Sequence, residues 1–289
     1  MIKKEPISIE HKALTDRFRD GAGLFNGDYC FGNLFAWGGV FDTQMRFFGN
    51  LYTASATLSG NRRLIGFPIG EGSAEEKRAF VLELAHEARE EGKTPIVGLV
   101  PDKLIEKAKT ALEGVVTFSR LRDSDDYVYL TEKLIELGGD ELHSKKNMLN
   151  SFLKNEYDFR DICPENLEKA RAFCLDKCFT DNERLVTERF FDNFEALGLQ
   201  GAVLEISGEI VAATLAERRG DTVIIHTEKA EKSVRGAYAA INNLFLKNRM
   251  ADTVYVNRED DMGLENLRKA KLSYKPEFMV EKYLGTFNE

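Results

Sequence analysis

The sequence predicts an α+β fold with two mixed sheets, built as two domains of the same design in tandem. The first observation behind this prediction is a series of strands and turns that occurs twice, about 159 residues apart. Gly49-Asn50 corresponds to Ser207-Gly208, and Ser59-Gly60-Asn61 corresponds to Arg219-Gly220-Asp221. The second observation is that each series continues as helix, strand, helix and strand. A repeat of this kind indicates a duplicated domain.

The length of the chain agrees with two domains. The 289 residues allow two units of about 140 residues, a common domain size. We therefore predict an N-terminal domain over residues 1–150 and a C-terminal domain over residues 151–289. An apolar content of 43% is sufficient for two packed cores.

Charge and composition exclude several classes of protein. A net charge of −8 predicts an acidic surface, which disfavours nonspecific binding to duplex DNA but leaves a local basic patch open. The sequence has no apolar run of about 18 residues, and its N-terminus lacks the apolar core of a secretory signal, so we expect a cytoplasmic protein. Cys174 and Cys178 are four residues apart on a predicted helix, which predicts core packing and no metal site. No paired CxxC arrangement occurs among the four cysteines, and disulfides are not implied: Cys30, Cys163, Cys174 and Cys178.

The first forty residues predict a helix followed by an irregular segment rich in glycine and aromatic residues. In the favoured interpretation the aromatic side chains pack over the first sheet. The alternative is that the segment from Phe25 to Trp37 contacts a membrane surface, which predicts that its aromatic side chains are exposed.

The remainder of the first half reads as a β-meander and two helix–strand pairs. Tight turns with glycine join three β segments. A helix from about Ala74 has a capping box, Ser73 with Glu76, and an apolar face at helical spacing. A buried strand over residues 95–100 and a second helix follow, and Asp126–Leu130 closes the half as a strand.

The second half has the same order of elements after a charged connector over residues 143–150. Two helices precede the meander. A helix from about Arg235, a strand at Thr253–Asn257, a helix around residues 264–270 and a terminal strand near residues 278–284 follow it. We expect the crossover helix to pack on the side that the right-handed rule requires.

This order is that of the GCN5-related N-acetyltransferase (GNAT) fold. In that fold two neighbouring strands separate, and the donor lies in the gap against the N-terminus of the crossover helix, where free N–H groups face phosphate or a carbonyl. The analogy concerns topology, and chemistry has to be argued from the residues.

The densest polar cluster lies where the last meander strand leads into the crossover helix of the second half. Glu228 is the candidate general base, with His226 beside it, if burial raises its pKa. Lys229 and Arg235 are candidates to hold an anionic group, and the amides around Gly236 to contact a phosphate or an oxyanion. Two residues depart from the pattern usual in a coenzyme A loop: Ser233 stands in place of Arg or Gln, and Tyr238 in place of Gly or Ala. Alternatively, Glu228 forms an ordinary salt bridge and His226 is structural. The residues of this cluster are His226, Glu228, Lys229, Arg235, Gly236 and Tyr238.

Two further clusters complete the candidate site. Asn257, Arg258 and Glu259 follow the next strand, and strand ends are where open sheets build sites. Downstream cations, Arg268 among them, either bind substrate phosphate or pair with the neighbouring acidic loop. In the connector, Lys145 and Lys146 either project towards the cleft or belong to a solvated helix.

Several spaced motifs resemble those of an uncharacterised bacterial family related to the C-terminal domain of phosphatidylglycerol lysyltransferases. The resemblance rests on Asp126–Leu130, the connector 138–152, His226–Lys229 with Gly236–Tyr238, and residues 257–276. It implies a tandem GNAT-like fold and aminoacyl transfer from charged tRNA to a lipid headgroup. The membrane-spanning portion of the lysyltransferases is absent from this sequence.

The sequence thus predicts an acyltransferase-fold protein that moves an acyl or aminoacyl group to an amine or hydroxyl. The donor would be a coenzyme A thioester or an aminoacyl-tRNA, and the acceptor a small molecule, a lipid headgroup or a peptide. We expect the second half to be active and the first, with Gly70-Glu71-Gly72 in the corresponding loop, to be structural or to serve in docking. The alternative is a noncatalytic module that binds a small ligand or peptide, favoured if Glu228, Lys229, Arg258 and Glu259 satisfy one another.

Overall fold

The computed structural model describes residues 2–22 and 26–288, and it divides them into two compact units. The first unit contains residues up to Asp125 together with the segment from Val280, and the second contains Asp126–Met279. The predicted boundary at residue 150 therefore differs from the observed one.

The first unit is built on an eight-stranded mixed sheet with the order β1-β2-β3-β4-β6-β15-β7, and β5 pairs with β3. Its strands are β1 (Lys3–Pro6), β2 (Gln44–Phe48), β3 (Leu51–Leu58), β4 (Arg62–Gly66), β5 (Ile69–Gly70), β6 (Thr94–Pro101), β7 (Val116–Arg120) and β15 (Lys282–Phe287). Its helices are α1 (Lys12–Ala22), α2 (Phe31–Phe41), α3 (Ala74–Glu90) and α4 (Asp102–Ala111).

The second unit is built on a seven-stranded mixed sheet with the order β14-β8-β13-β12-β11-β10-β9. Its strands are β8 (Asp126–Leu130), β9 (Asp158–Asp161), β10 (Gln200–Ile206), β11 (Glu209–Arg219), β12 (Thr222–Ala230), β13 (Tyr255–Asn257) and β14 (Phe278–Val280). Its helices are α5 (Thr131–Glu136), α6 (Gly139–Phe152), α7 (Leu167–Asp176), α8 (Asp181–Asp192), α9 (Phe194–Leu197), α10 (Ala237–Arg249) and α11 (Glu265–Leu272).

The predicted α+β class and the repeated order of meander, helix, strand, helix and strand are confirmed. The capping box of α3 forms as expected, since the N–H of Glu76 is bonded to the Ser73 hydroxyl at 3.1 Å and its carboxylate accepts the Ser73 N–H at 2.7 Å. The predicted apolar face of α3 is buried: Val81, Leu84, Ala85 and Ala88. Cys174, on α7, is fully buried in agreement with the predicted core role, and burial raises the pKa of its thiol to about 12.

Two strands belong to a different sheet from the one that the sequence predicted. Asp126–Leu130 does not close the first sheet: it pairs with β13 in the second. The predicted strand over residues 278–284 is two strands, since β14 lies in the second sheet while β15 pairs with β6 and β7 in the first. Local patterning specifies that a segment is extended, but tertiary pairing decides which sheet it joins.

The aromatic segment before the first meander is helical instead of irregular. Phe31 and Phe35 on α2 are 0% and 8% exposed, and the Trp37 ring stacks on Phe41 with centroids 5.6 Å apart. Membrane contact required exposed aromatic side chains, and this prediction is wrong for Phe31 and Phe35. Phe25 lies outside the described residues. Across the described ranges no helix has both the length and the apolarity to span a membrane.

Candidate active site

The candidate site of the second unit lies where strands β12 and β13 separate. These parallel strands pair only over Thr222–Ile224 and Tyr255–Asn257, although β12 continues for six more residues. The loop after β13, residues 258–263, therefore runs beside the second part of β12. The predicted separation of two neighbouring strands occurs, and it brings two of the three predicted polar clusters together.

A β-bulge decides which face of the sheet each polar residue of β12 uses. Thr227 and Ile225 pair with consecutive residues of β11, which leaves His226 as the extra residue. The His226 ring stacks on Phe190 of α8 with centroids 4.9 Å apart. Lys229 also points to α8, where its ammonium pairs with Glu183, whereas Glu228 points to α10. His226 and Lys229 are thus on the opposite face from Glu228.

Glu228 and Arg258 form the centre of the site. One carboxylate oxygen of Glu228 accepts a hydrogen bond from the Asn242 amide at 2.9 Å. The other accepts from Nε of Arg258 at 3.0 Å and from its Nη2. Their side chains are only 10% and 13% exposed, so the pair is largely shielded from water. The ordinary salt bridge that was the alternative prediction for Glu228 is therefore present.

The guanidinium of Arg258 retains one nitrogen for further binding. Its carbon lies 4.9 Å from the centre of the Tyr274 ring and 5.9 Å from that of Tyr129, which is cation–π geometry. Burial acts to lower the pKa of Arg258, but the Glu228 carboxylate outweighs it and the net pKa is raised. Nη1 is buried and has no hydrogen-bond partner within the described part of the chain. A buried donor in this state favours an occupant that accepts a hydrogen bond.

Lys145 of α6 adds a second cation to the site. Its ammonium lies 4.4 Å from the centre of the Tyr274 ring, so Tyr274 contacts both cations. Burial and the nearby charge of Arg258 lower the pKa of Lys145. No carboxylate in residues 2–22 or 26–288 forms a salt bridge with it. The adjacent Lys146 is exposed, so only one of the two predicted lysines joins the site.

The loop that carries Arg258 is held in place by Lys271 of α11. The ammonium of Lys271 donates to the main-chain carbonyls of Arg258, Glu259 and Asp260, the first two at 2.5 and 3.1 Å. The carbonyl of Lys271 in turn accepts from the Tyr129 hydroxyl at 2.9 Å. One partly buried cation therefore binds three consecutive carbonyls of the loop, and the Glu259 carbonyl also accepts the main-chain N–H of Tyr127 at 3.1 Å.

Asn257 and Glu259 shape the same loop. The Asn257 side chain accepts the N–H of Glu259 at 2.7 Å and donates to Asp126 at 3.0 Å, and it is fully buried. Glu259 has a left-handed backbone with φ of 56°, and its carboxylate lies 2.8 Å from Nδ1 of His226. Asn257 therefore supports the loop, and Glu259 pairs with the buried histidine instead of facing Glu228.

Arg268 has a structural partner. Its guanidinium donates to both oxygens of the buried Asp261 carboxylate at 2.8 and 3.0 Å, and the Tyr127 hydroxyl also donates to Asp261 at 2.5 Å. Burial acts to raise the pKa of Asp261, but these bonds hold it well below its usual range. Of the two predicted roles for Arg268, pairing with the acidic loop is the one observed.

The start of α10 differs from an open phosphate loop. Gly236 has a φ of 84°, and a Cβ atom at this position would lie 2.0 Å from the carbonyl oxygen of Met148 on α6. A glycine is therefore required at position 236, because α6 approaches too closely for any side chain. Arg235 is exposed, and Tyr238 is 42% exposed.

The sequence analysis assigned no role to Asn242, Tyr129 or Tyr274. Lys271 was one of the downstream cations expected either to bind phosphate or to pair with the acidic loop, and its ammonium binds the carbonyls of that loop. Asn242 had a usable signal, because it and Asn243 are the polar residues in the otherwise apolar middle of α10, and both are buried. The two tyrosines gave no local signal, because their roles depend on contacts between distant elements.

Sequence comparison places residues 23–285 in the family described as "Phosphatidylglycerol lysyltransferase, C-terminal". An uncharacterized protein of Mycoplasmoides gallisepticum is 27% identical over 171 residues, 56% of each chain, so the chain matches about half the length of this curated relative. A conserved protein of unknown function from Bacteroides thetaiotaomicron has a crystal structure with 30% identity and a TM-score of 0.89, and the match covers 100% of both chains.

More distant structures share the fold alone. L-PGS from Bacillus licheniformis is 17% identical with a TM-score of 0.67, covering 98% of this chain and 92% of that one. FemX is 9% identical with a TM-score of 0.62, covering 99% and 97%. A tandem GNAT protein from the clavulanic acid biosynthesis pathway is 9% identical with a TM-score of 0.55, covering 99% and 98%. The tandem GNAT-like architecture is thus shared with these proteins, and the chain belongs to the phosphatidylglycerol lysyltransferase C-terminal family.

Proposed function

We propose that this protein transfers an aminoacyl group from aminoacyl-tRNA to an amine or hydroxyl acceptor, with the donor site in the second unit. The observation that carries the proposal is the pair of cations beside the separated strands. Among the described residues, Arg258 has a buried Nη1 with no hydrogen-bond partner, and Lys145 has no acidic partner. The family name describes lysyl transfer, and the fold likeness to L-PGS and FemX agrees with it.

Aminoacyl-tRNA is favoured over a coenzyme A thioester by the start of α10. At Gly236 the main chain of α6 occupies the position that a Cβ atom would take, so this side of the glycine is closed. Tyr238 adds a bulky side chain in the first turn. Both features narrow the space that a pyrophosphate would need, while a ribose ester could approach from the side of Arg258.

The proposed reaction replaces the ester bond of the donor. The acceptor nitrogen or oxygen attacks the carbonyl carbon and forms the new bond, the ester C–O bond to the ribose breaks, and the acceptor proton passes to the ribose oxygen. Arg258 Nη1 is placed to donate a hydrogen bond to the oxyanion that develops. The ammonium of Lys145, whose pKa is lowered, is placed to give a proton to the ribose oxygen and to receive the acceptor proton in exchange. Glu228 orients Arg258 through two hydrogen bonds.

The first unit remains our proposed structural or docking half. The first turn of its crossover helix α3 contains Glu75 and Glu76, whereas the first turn of α10 has no acidic residue. Carboxylates at a helix N-terminus repel a phosphate at that position. A cytoplasmic location stays a prediction.

The direct test is a transfer assay with purified protein, tRNA charged with a radiolabelled amino acid, and candidate amine and hydroxyl acceptors. We expect time-dependent loss of label from tRNA and its appearance on an acceptor, but no reaction with acetyl-coenzyme A. Lys145→Ala should reduce transfer at least tenfold, whereas Lys146→Ala, at the exposed neighbouring position, should leave it unchanged. Activity with acetyl-coenzyme A alone would contradict the donor assignment.

A noncatalytic binding module is the second candidate, and the ion pairs of the site favour it. Glu228 pairs with Arg258, Glu259 with His226, and Lys229 with Glu183 of α8, so each of these predicted site residues has an ionic partner. This candidate would be supported if the protein binds an amide-linked aminoacyl-tRNA analogue tightly but transfers the aminoacyl group of the natural ester to none of the acceptors tested.

A further inference from the structure

A polar cavity lies in the first unit, between the sheet and α3. Arg46 of β2 and Arg63 of β4 are only 4% and 6% exposed. They pair in register with Thr53 and Thr57 of the intervening strand β3, two residues of the same parity. Side chains of the same parity on a strand share a face. The two guanidinium groups therefore lie on one face of the sheet, the face that α3 covers.

Each arginine is paired with a glutamate at the C-terminal end of α3: Glu87 in its last turns, and Glu91 directly after it. Nη1 of Arg46 donates to Glu87 at 2.9 Å, and Nη2 of Arg63 donates to Glu91 at 2.5 Å. The guanidinium of Arg46 lowers the pKa of Glu87. Lys93 and Arg63 lower the pKa of Glu91 to about 2 against the opposing effect of burial. Both carboxylates are therefore ionised and already hydrogen-bonded.

These ion pairs leave three donors directed into the cavity. Nε of Arg46, Nη1 of Arg63 and Oγ of Ser55 are buried and have no hydrogen-bond partner in the described residues. The cavity that they line measures about 10 Å³, which is room for one small particle of about the size of a water molecule. The rest of the wall consists of the paired glutamates, Glu87 and Glu91, and of three apolar residues: Ile65, Leu84 and Ala88.

The occupant must accept hydrogen bonds, because two of the three donors belong to guanidinium groups, which cannot accept one. The surrounding charge is positive. Lys4 lies 3.5 Å from Glu87, and Lys93 lies 2.8 Å from Glu91, so four cations surround two carboxylates. A positive, donor-rich and very small site favours a monatomic anion.

We propose that the first unit binds a single halide ion, chloride under ordinary conditions, between Arg46, Ser55 and Arg63. The ion connects strands β2, β3 and β4 beneath α3 and completes the hydrogen bonding of both buried arginines. Its role is structural, and it is independent of the aminoacyl transfer proposed for the second unit.

Crystals of the full chain soaked in bromide provide the first test. We expect an anomalous bromine peak within hydrogen-bonding distance of Arg46 Nε and Arg63 Nη1. An ordered water molecule at that position in the same crystals, or no density at all, would overturn the proposal.

Thermal unfolding in solution provides the second test. The melting temperature of the full chain should rise as chloride replaces gluconate at constant ionic strength. An ion that binds only the folded state stabilises that state. Ser55→Ala removes one donor and should weaken chloride binding roughly five- to tenfold. Ser59→Ala, in the exposed turn that follows β3, is the matched control and should respond as the wild type does. An equal chloride response in Ser55→Ala and wild type would count against the site.

Discussion

At the scale of single residues, the site depends on a largely buried ion pair whose members cannot be removed independently. Arg258 is bonded to Glu228 and enclosed by two tyrosine rings, and Asn242 satisfies the second oxygen of Glu228. Taking two charges out of water is unfavourable, and their mutual attraction offsets this only while both are present. The pair therefore favours one geometry of the loop after β13 more than it adds to net stability.

We expect Arg258→Met to lower the free energy of unfolding of the second unit by about 3 kcal/mol, because it leaves the Glu228 carboxylate buried and unpaired. The double variant Arg258→Met/Glu228→Gln should recover most of that loss, since no uncompensated charge remains. Urea unfolding of the two variants measures the difference. If the double variant is as unstable as Arg258→Met, the loss comes from packing instead of charge.

Lys145 is expected to titrate below the ordinary lysine value of 10.5, because burial and Arg258 disfavour its charged form. The folded state then binds fewer protons than the unfolded chain between the lowered pKa and 10.5. The charged lysine thus destabilises the folded state at neutral pH, and this penalty disappears as the pH rises through that window.

An NMR titration of reductively ¹³C-methylated protein measures this pKa directly. Lys145→Arg identifies its resonance by removing it. Arg258→Met should raise the pKa of Lys145 by removing the neighbouring charge. A pKa that does not move in Arg258→Met would mean that burial alone causes the shift.

At the scale of elements, the approach of α6 to the start of α10 is as close as the main chains allow. Gly236 combines a positive φ with a main-chain oxygen at the place of its missing Cβ. Gly208 has a similar φ of 79° but nothing within 4 Å of its Cβ position. The two glycines therefore separate the effect of backbone strain from that of the helix contact.

Gly236→Ala should destabilise the second unit clearly more than Gly208→Ala. Both variants carry the strain of a left-handed alanine, about 1 kcal/mol, and only Gly236→Ala also forces α6 and α10 apart. Urea unfolding gives the comparison. Equal losses of unfolding free energy in the two variants would show that α6 and α10 can move apart without destabilising the unit.

The elements also show which parts of the structure can be predicted from the sequence alone. The capping box at Ser73 and the apolar face of α3 were predictable because both are local patterns at helical spacing. The bulge at His226 was not, since it exists only in the pairing of β12 with β11, and without it Lys229 and His226 cannot be assigned to a face. The sheets to which β8 and β15 belong were equally unpredictable, because the sequence of an extended segment does not specify the strand with which it pairs.

At the scale of the whole molecule, the net charge of −8 limits how a tRNA can be bound. A polyanion is repelled by an acidic protein at long range, and its affinity must come from a few local cations. Several cations of the second unit are already paired, among them Arg268 with Asp261, Lys269 with Glu265 and Lys229 with Glu183. Recognition should therefore concentrate on the aminoacylated end of the tRNA, near Arg258 and Lys145.

We expect the affinity for an amide-linked aminoacyl-tRNA analogue to fall only gently with salt. Two phosphate contacts to a single-stranded end give a slope of about −1.4 in log K against log salt concentration. Uncharged tRNA should compete at least tenfold less well than the analogue, because it lacks the group that Arg258 and Lys145 would recognise. Fluorescence anisotropy over a salt series measures both quantities. A slope steeper than about −4, with equal competition by uncharged tRNA, would mean that the protein binds the body of the tRNA through a basic surface, and that Arg258 and Lys145 do not select the aminoacyl end.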